Sequence, residues 1–240
     1  MMKADVMGAK FHSLTLSEAV NAGVSLIGTG CHRVVTPNSE IVYEALKNPE
    51  LMELINTSSL VLPDGIGVVY ASKILGCPVK QKVAGIDFAQ GLMEALAGTD
   101  KTFYFLGSKP GVADGAKEKL LEKYPGLNIV GTADGYFKDD AAAAEKIRQT
   151  GADVVFVCLG APKQEFWIKN HGEATGASLL IGLGGCLDVF SGNVNRAPDI
   201  MIKLGLEWLY RLYKEPKRIG RMCRLPLFLF KAVGTRLRGK

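Results

Sequence analysis

A chain of 240 residues, 48% hydrophobic and 22% charged, has material for one large α/β domain or a domain with an appendage, which excludes intrinsic disorder. Five cysteines (Cys31, Cys77, Cys158, Cys186, Cys223) are odd in number, widely spaced and form no C-x-x-C, so they read as buried free thiols and exclude a disulfide frame or a zinc site. The net charge of +5 is uneven: residues 203 to 240 carry 11 Lys and Arg against two Glu, a net of +9, which leaves 5 minus 9, or −4, on residues 1 to 202.

The N-terminal MMKADVMGAKFHSL lacks the apolar h-region of a signal peptide, and no run reaches the roughly 18 apolar residues of a spanning helix. A cytoplasmic protein is expected. The first helix is predicted over Leu16–Ile27, opened by Thr15 and Glu18 at capping-box spacing. A strand at His32–Thr36 runs into the polar turn TPNSE, before a helix at Ile41–Leu46. The next strand, Leu60–Pro63, ends in PDG and precedes helices at Gly67–Leu75 and Phe88–Ala97. Thr102–Leu106 leads to LGSKPG and a helix at Val112–Lys123, then Asn128–Gly131 leads to TADGYF and a helix at Ala141–Gln149. Val154–Leu159 is followed by LGAPKQE and the helix Lys163–Asn170, and Leu179–Leu183 by GLGGCLD. Apolar strands alternating with helices predict an α/β fold, a Rossmann-like, largely parallel sheet with helices on both faces, over residues 1–198.

Past Pro198 that rhythm stops. Residues 199–240 read as a basic amphipathic appendage: a helix to about Tyr213, a break at Glu215–Pro216, then a second amphipathic piece. Basic residues with interleaved aromatics can bind nucleic acid, settle at a membrane surface, or pack on the body with their charges solvated. The compact LPLFLF at Leu225–Phe230 favours lipid over nucleic acid, with packing next.

Ligands of open α/β sheets bind beyond the carboxyl ends of the strands, so the polar turns should emerge along one edge. Those turns carry the candidate residues Thr36, Asn38, Asp64, Gly107, Ser108, Gln164, Gly184, Gly185 and Asp188, with Tyr136 and Phe137 as an aromatic pair. Each has an ordinary reading beside the functional one. Asn38 and Asp64 are good helix caps, Gln164 and Glu165 suit a first helical turn, and Tyr136 and Phe137 could be turn anchors. No G-x-G-x-x-G or Walker A is complete, and the three histidines are scattered, so neither a metal nor another cofactor is expected. An anionic ligand would need helix N-termini and cations, for which Lys82, Arg196 and the appendage arginines are available.

TPN at Thr36–Asn38, PDG at Pro63–Gly65, VAG at Val83–Gly85, GYF at Gly135–Phe137 and LGAPKQE at Leu159–Glu165 resemble the WecG/TagA/CpsF glycosyltransferase family. GGCLDVFSG at Gly184–Gly192, NRAP at Asn195–Pro198 and GLEWLYRL at Gly205–Leu212 do so too, most closely its TagA branch. The resemblance implies an inverting, metal-independent enzyme on the inner face of the bacterial plasma membrane. It would move N-acetylmannosamine from a UDP donor to undecaprenyl-diphospho-N-acetylglucosamine, making the linkage unit of wall teichoic acid. Asp64 matches the family's catalytic base, Thr36 and Asn38 polar residues of the same pocket, and Gln164 a substrate-pocket glutamine. Arg211, Arg218 and Arg221 match arginines that close over the diphosphate. Relatives often carry arginine before VAG, where this chain has Lys82, a point charge in place of a bidentate fork. Other readings are the same fold with another UDP-sugar, a nicotinamide-dependent oxidoreductase, or a non-enzymatic membrane-binding module. The donor sugar and oligomeric state, a homo-oligomer included, do not follow from the residues.

Overall fold

A computed structural model describes residues 2–214, 220 and 224–239. Its centre is a six-stranded, wholly parallel sheet in the order β4-β3-β8-β7-β5-β6. The strands are β3 (His32–Val35), β4 (Leu60–Val61), β5 (Thr102–Gly107), β6 (Asn128–Ala133), β7 (Val154–Cys158) and β8 (Leu179–Gly182). Alternating side chains serve opposite faces, as the pleat requires. Val34, Leu60, Phe103, Phe105, Phe156 and Ile181 pack beneath one layer of helices. Their neighbours Val35 and Val61, and Tyr104, Leu106, Val155 and Leu180, pack beneath the other. Both faces are therefore covered, which is why these strands read as nearly continuous apolar runs.

The first layer contains α1 (Leu16–Leu26), α5 (Gly85–Leu96), α6 (Val112–Lys123) and α9 (Cys186–Phe190). The Thr15–Glu18 capping box forms in both directions. The second layer contains α2 (Ser39–Ala45), α3 (Pro49–Thr57), α4 (Ile66–Ile74), α7 (Asp140–Arg148) and α8 (Lys163–His171). The sequence reading passed over α3, although Asn48 caps it and Pro49 opens it, and over the five-residue α9.

It also passed over an N-terminal hairpin of β1 (Lys3–Val6) and β2 (Ala9–His12), turned through Met7 and Gly8 at positive φ. The hairpin lies against the edge strand β4, and His12 Nδ1 accepts the Val61 N–H at 2.9 Å. An edge N–H that would otherwise stay unpaired is thus satisfied by a side chain. The thiols depart from expectation as well: Cys158 is buried, Cys77 and Cys186 are half-buried, and Cys31 is exposed. Cys223 lies outside the described residues.

The appendage is not one helix to Tyr213. Gly205, at φ 72°, separates α10 (Asp199–Lys203) from α11 (Glu207–Lys214). The expected break at Glu215–Pro216 lies outside the described residues. Beyond it α12 (Arg224–Arg238) docks on α2 and α4, with Phe228 and Ala232 fully buried in the cluster that holds Val61 and Val68. Among the described residues no helix is long and apolar enough to cross a membrane.

Candidate active site

Asp64 follows the edge strand β4, where the chain turns into α4. It does not cap that helix. Gly65, at φ 85°, is the N-cap residue and makes no side-chain cap bond. The Asp64 carboxylate reaches instead towards α5, where Oδ2 accepts the Gly85 N–H at 3.4 Å, and its own N–H donates to the Pro37 carbonyl at 3.3 Å. Gly85 is the first residue of a helix with no side-chain cap of its own. One of that helix's orphan donors therefore fixes the carboxylate's orientation. Only glycine fits there, since a Cβ on Gly85 would lie 2.9 Å from Thr36 Oγ1.

Two cavities meet at this carboxylate. A smaller one, about 120 Å³, is bordered by Asn38, Asp64, Lys82, Glu207, Trp208 and Leu225, so the appendage forms part of its wall. A larger one, about 460 Å³, is bordered by Asp64, Lys109, Gly185, Asp188, Arg196 and Glu207. Asp64 and Glu207 border both. Lys82 Nζ lies 3.5 Å from the Glu207 carboxylate. Arg196 grips Asp87, in the first turn of α5, with contacts of 2.6 and 2.9 Å. Burial opposes the charge on Arg196, but the Asp87 hydrogen bonds, with the Asp87, Glu207 and Asp64 charges, outweigh it and hold its pKa above the ordinary value.

The remaining predicted residues lie at several places along the edge. Asn38 borders the smaller cavity and caps α2, its Oδ1 accepting the N–H groups of Glu40 and Ile41 at 3.0 Å each. Thr36 is buried, donates to the Gly182 carbonyl at 3.2 Å, and borders neither cavity. Gln164 is likewise buried beneath the end of β8 and borders neither, its Oε1 accepting the Gly184 N–H at 2.9 Å. Both support the strand ends from below.

Ser108 and Gly107 belong to the next turn along the edge. Gly107 comes so close to β7 that a Cβ would fall 2.3 Å from the Cys158 carbonyl oxygen, and Ser108 Oγ donates to Asp188 at 2.9 Å. Tyr136 and Phe137 line a separate hollow of about 650 Å³ beside β6, the opposite edge of the sheet from β4. Five strand spacings make that offset about 24 Å. The turns do emerge along one edge, but they are spread along it instead of meeting in a single cleft, with the Gly135 N–H donating to the Ser108 carbonyl at 2.9 Å as a link between two of them. Phe137 stacks edge-on to Trp167 as a core anchor, whereas Tyr136 is 67% exposed.

Arg211 lies on α11, and Arg218 and Arg221 lie outside the described residues. Sequence reasoning missed Glu207, Asp87 and Lys109. Glu207 left one signal: it is one of only two carboxylates in a strongly basic segment.

An open parallel sheet with a cleft at its carboxyl edge, lined by glycines, carboxylates and cations, defines an α/β protein of the class that takes its ligand there. The family model described as "Glycosyl transferase WecG/TagA/CpsF family" matches residues 4–240, and the chain belongs to that family. It is 40% identical over 196 residues, 82% of this chain and 76% of the relative, to a protein of Bacillus spizizenii (strain ATCC 23059 / NRRL B-14472 / W23). It is 39% identical over 195 residues, 81% of this chain and 76% of the relative, to one of Bacillus subtilis (strain 168). A Staphylococcus aureus (strain MW2) relative is 33% identical over 233 residues, 95% of this chain and 91% of its own. Each bears the name N-acetylglucosaminyldiphosphoundecaprenol N-acetyl-beta-D-mannosaminyltransferase.

Proposed function

We propose that this chain transfers N-acetylmannosamine from a UDP donor to undecaprenyl-diphospho-N-acetylglucosamine, with Asp64 as the base. The observation that carries the reading is the position of Asp64, at a strand end between both cavities and oriented by the Gly85 N–H. Glu207, the other carboxylate bordering both, faces Lys82 in an ion pair. Inverting transfer is a single displacement: the acceptor hydroxyl attacks the anomeric carbon as the bond to the UDP oxygen breaks on the opposite face. A base must take the hydroxyl proton, and cations must hold the departing diphosphate. The larger cavity suits the donor, with Arg196 and Lys109 for phosphate charge and Asp188, held by Ser108, along its wall. The smaller cavity, walled by Trp208 and Leu225 of the appendage, suits the acceptor sugar. Asn38 and Thr36 keep the neighbouring backbone in place, and Lys82, paired with Glu207, is the cation at the smaller, acceptor-side cavity.

The acceptor's polyprenyl tail calls for a bilayer. On the outer face of α12, Leu227, Phe230, Val233 and Leu237 are exposed by 52%, 74%, 41% and 70%, spaced at helical intervals and flanked by Lys231, Arg236 and Arg238. This stripe supports peripheral attachment to an anionic membrane surface, with the chain on its cytoplasmic side.

Asp64→Asn tests the assignment. It should fold with an unchanged circular dichroism spectrum and lose about 10²- to 10⁴-fold in transfer rate, the range for a positioned general base. Turnover near wild type would remove Asp64 from the mechanism. Mass spectrometry of the lipid-linked product made from a panel of UDP-sugars identifies the donor.

A further inference from the structure

Two adjacent polar residues at the start of α8, Gln164 and Glu165, are 3% and 2% exposed. Gln164 Nε2 donates to Glu165 Oε1 at 2.9 Å, and Gln164 Oε1 accepts the Gly184 N–H at 2.9 Å. The amide is thereby held at both ends, and its orientation is dictated by the carboxyl group. Room for it is cut into β8, because a Cβ on Gly182 would lie 2.8 Å from Gln164 Nε2. Gly184 takes a left-handed conformation, φ 56°, and the next residue, Gly185, borders the cavity with Asp64 and Arg196. Glu165 Oε2 is buried without a hydrogen-bond partner. A buried, unpartnered carboxylate oxygen is costly when ionised and far less so as a neutral acid. Burial pushes the Glu165 pKa up, the Gln164 hydrogen bond and the residue's own backbone N–H oppose this, and the Glu44 charge adds to the rise.

We propose that Glu165 is a positioning residue for sugar transfer: as a neutral acid it locks the Gln164 amide onto the Gly184 N–H and so sets the turn that floors the donor cavity. Its effect on transfer rests on the function proposed above, but the contact itself can be tested without activity. Hydrogen exchange of the peptide covering residues 183–186 reads the Gly184 bond directly. Donor KM and kcat read the consequence.

Glu165→Gln supplies the same acceptor to Gln164 and should keep both exchange protection and donor KM within about twofold of wild type. Glu165→Leu removes the acceptor at similar volume. It should lower protection of the 183–186 peptide and raise donor KM about fivefold with kcat little changed, the loss expected for one hydrogen bond. Its thermal midpoint should fall by a few degrees, since the buried Gln164 Nε2 loses its acceptor, and the double variant with Gln164→Leu should recover part of that loss. The double variant Glu165→Leu with Gln164→Leu should be no worse than Gln164→Leu alone. Intact protection in Glu165→Leu, equal damage from Glu165→Gln, or additive losses would each overturn the proposal. A wild-type protein without transfer activity would overturn the functional reading instead, while the exchange result would still decide the contact.

Discussion

Helix α12 inserts Phe228 and Ala232 into the core, lays Leu225 against Gly67, and donates from Arg236 to the Leu75 carbonyl at the end of α4. Helices α10 and α11, a few residues earlier in the same basic segment, bury none of their described residues. They meet the body through the Lys82–Glu207 ion pair and the approach of Gly205 to Ile66. One arm is held by burial, the other by polar contact at the mouth of a cavity. Elements with little buried apolar surface open at lower free energy than those with much. Both arms mix aliphatic, aromatic and basic residues, and that mixture does not say which part is foundation and which is cover.

The largest expected effect lies on α12. Phe228→Ala should destabilise the whole protein by about 3–5 kcal/mol in denaturant unfolding, as for other buried aromatic truncations. Phe230→Ala, two residues on and 74% exposed, should change stability by less than about 0.5 kcal/mol. It should instead weaken binding to anionic vesicles about tenfold, as expected for losing one inserted aromatic side chain. Equal stability losses in the two variants would erase the distinction between the arms.

A smaller effect is expected at the cover. Glu207→Gln removes the charge facing Lys82, a pair whose side chains are 16% and 19% exposed. Hydrogen exchange across residues 207–214 should rise about fivefold, on the order of 1 kcal/mol for a partly buried pair, with α12 unchanged. Faster exchange in both arms would show that they open together.

The smallest effect belongs to the N-terminal hairpin, whose Val6 and Phe11 share a hydrophobic cluster with Phe228 and Ala232 of α12. Burial and then the Lys3 charge hold the His12 pKa below its ordinary 6.5, and the Val61 N–H needs the unprotonated Nδ1 as its acceptor. The unfolded chain binds the proton more readily, so this contribution to stability is complete above pH 6.5 and is lost as pH falls towards the lowered folded value. Chemical-denaturation midpoints should show that decline in wild type and a weaker one in His12→Asn, whose side-chain oxygen can still accept from Val61. An identical decline would remove His12 as its source.

Much of the body was legible because its signals are local. The Thr15–Glu18 box, the apolar strands and the glycine turns follow from spacing within a few residues, and motif order alone pointed to the family. The hairpin was passed over because β1 and β2 have four residues each, too few to stand out, and its Met7–Gly8 turn lacks the usual Asn-Gly signal. Asp64 was legible as a polar residue at a strand end, but not the identity of the helix whose N–H it accepts, which begins 21 residues later.

The order of residues determined a two-faced parallel sheet, its polar carboxyl edge and a basic, apolar-studded tail, since propensity, periodicity and charge are written into neighbouring side chains. Only the folded chain decided that Thr36 and Gln164 brace the edge from below, that Tyr136 stands at the far end, and that Glu207 crosses from the appendage to Lys82. Those relations join residues from 20 to 146 positions apart, and they are set by strand order and by which surfaces bury together. No local pattern encodes either.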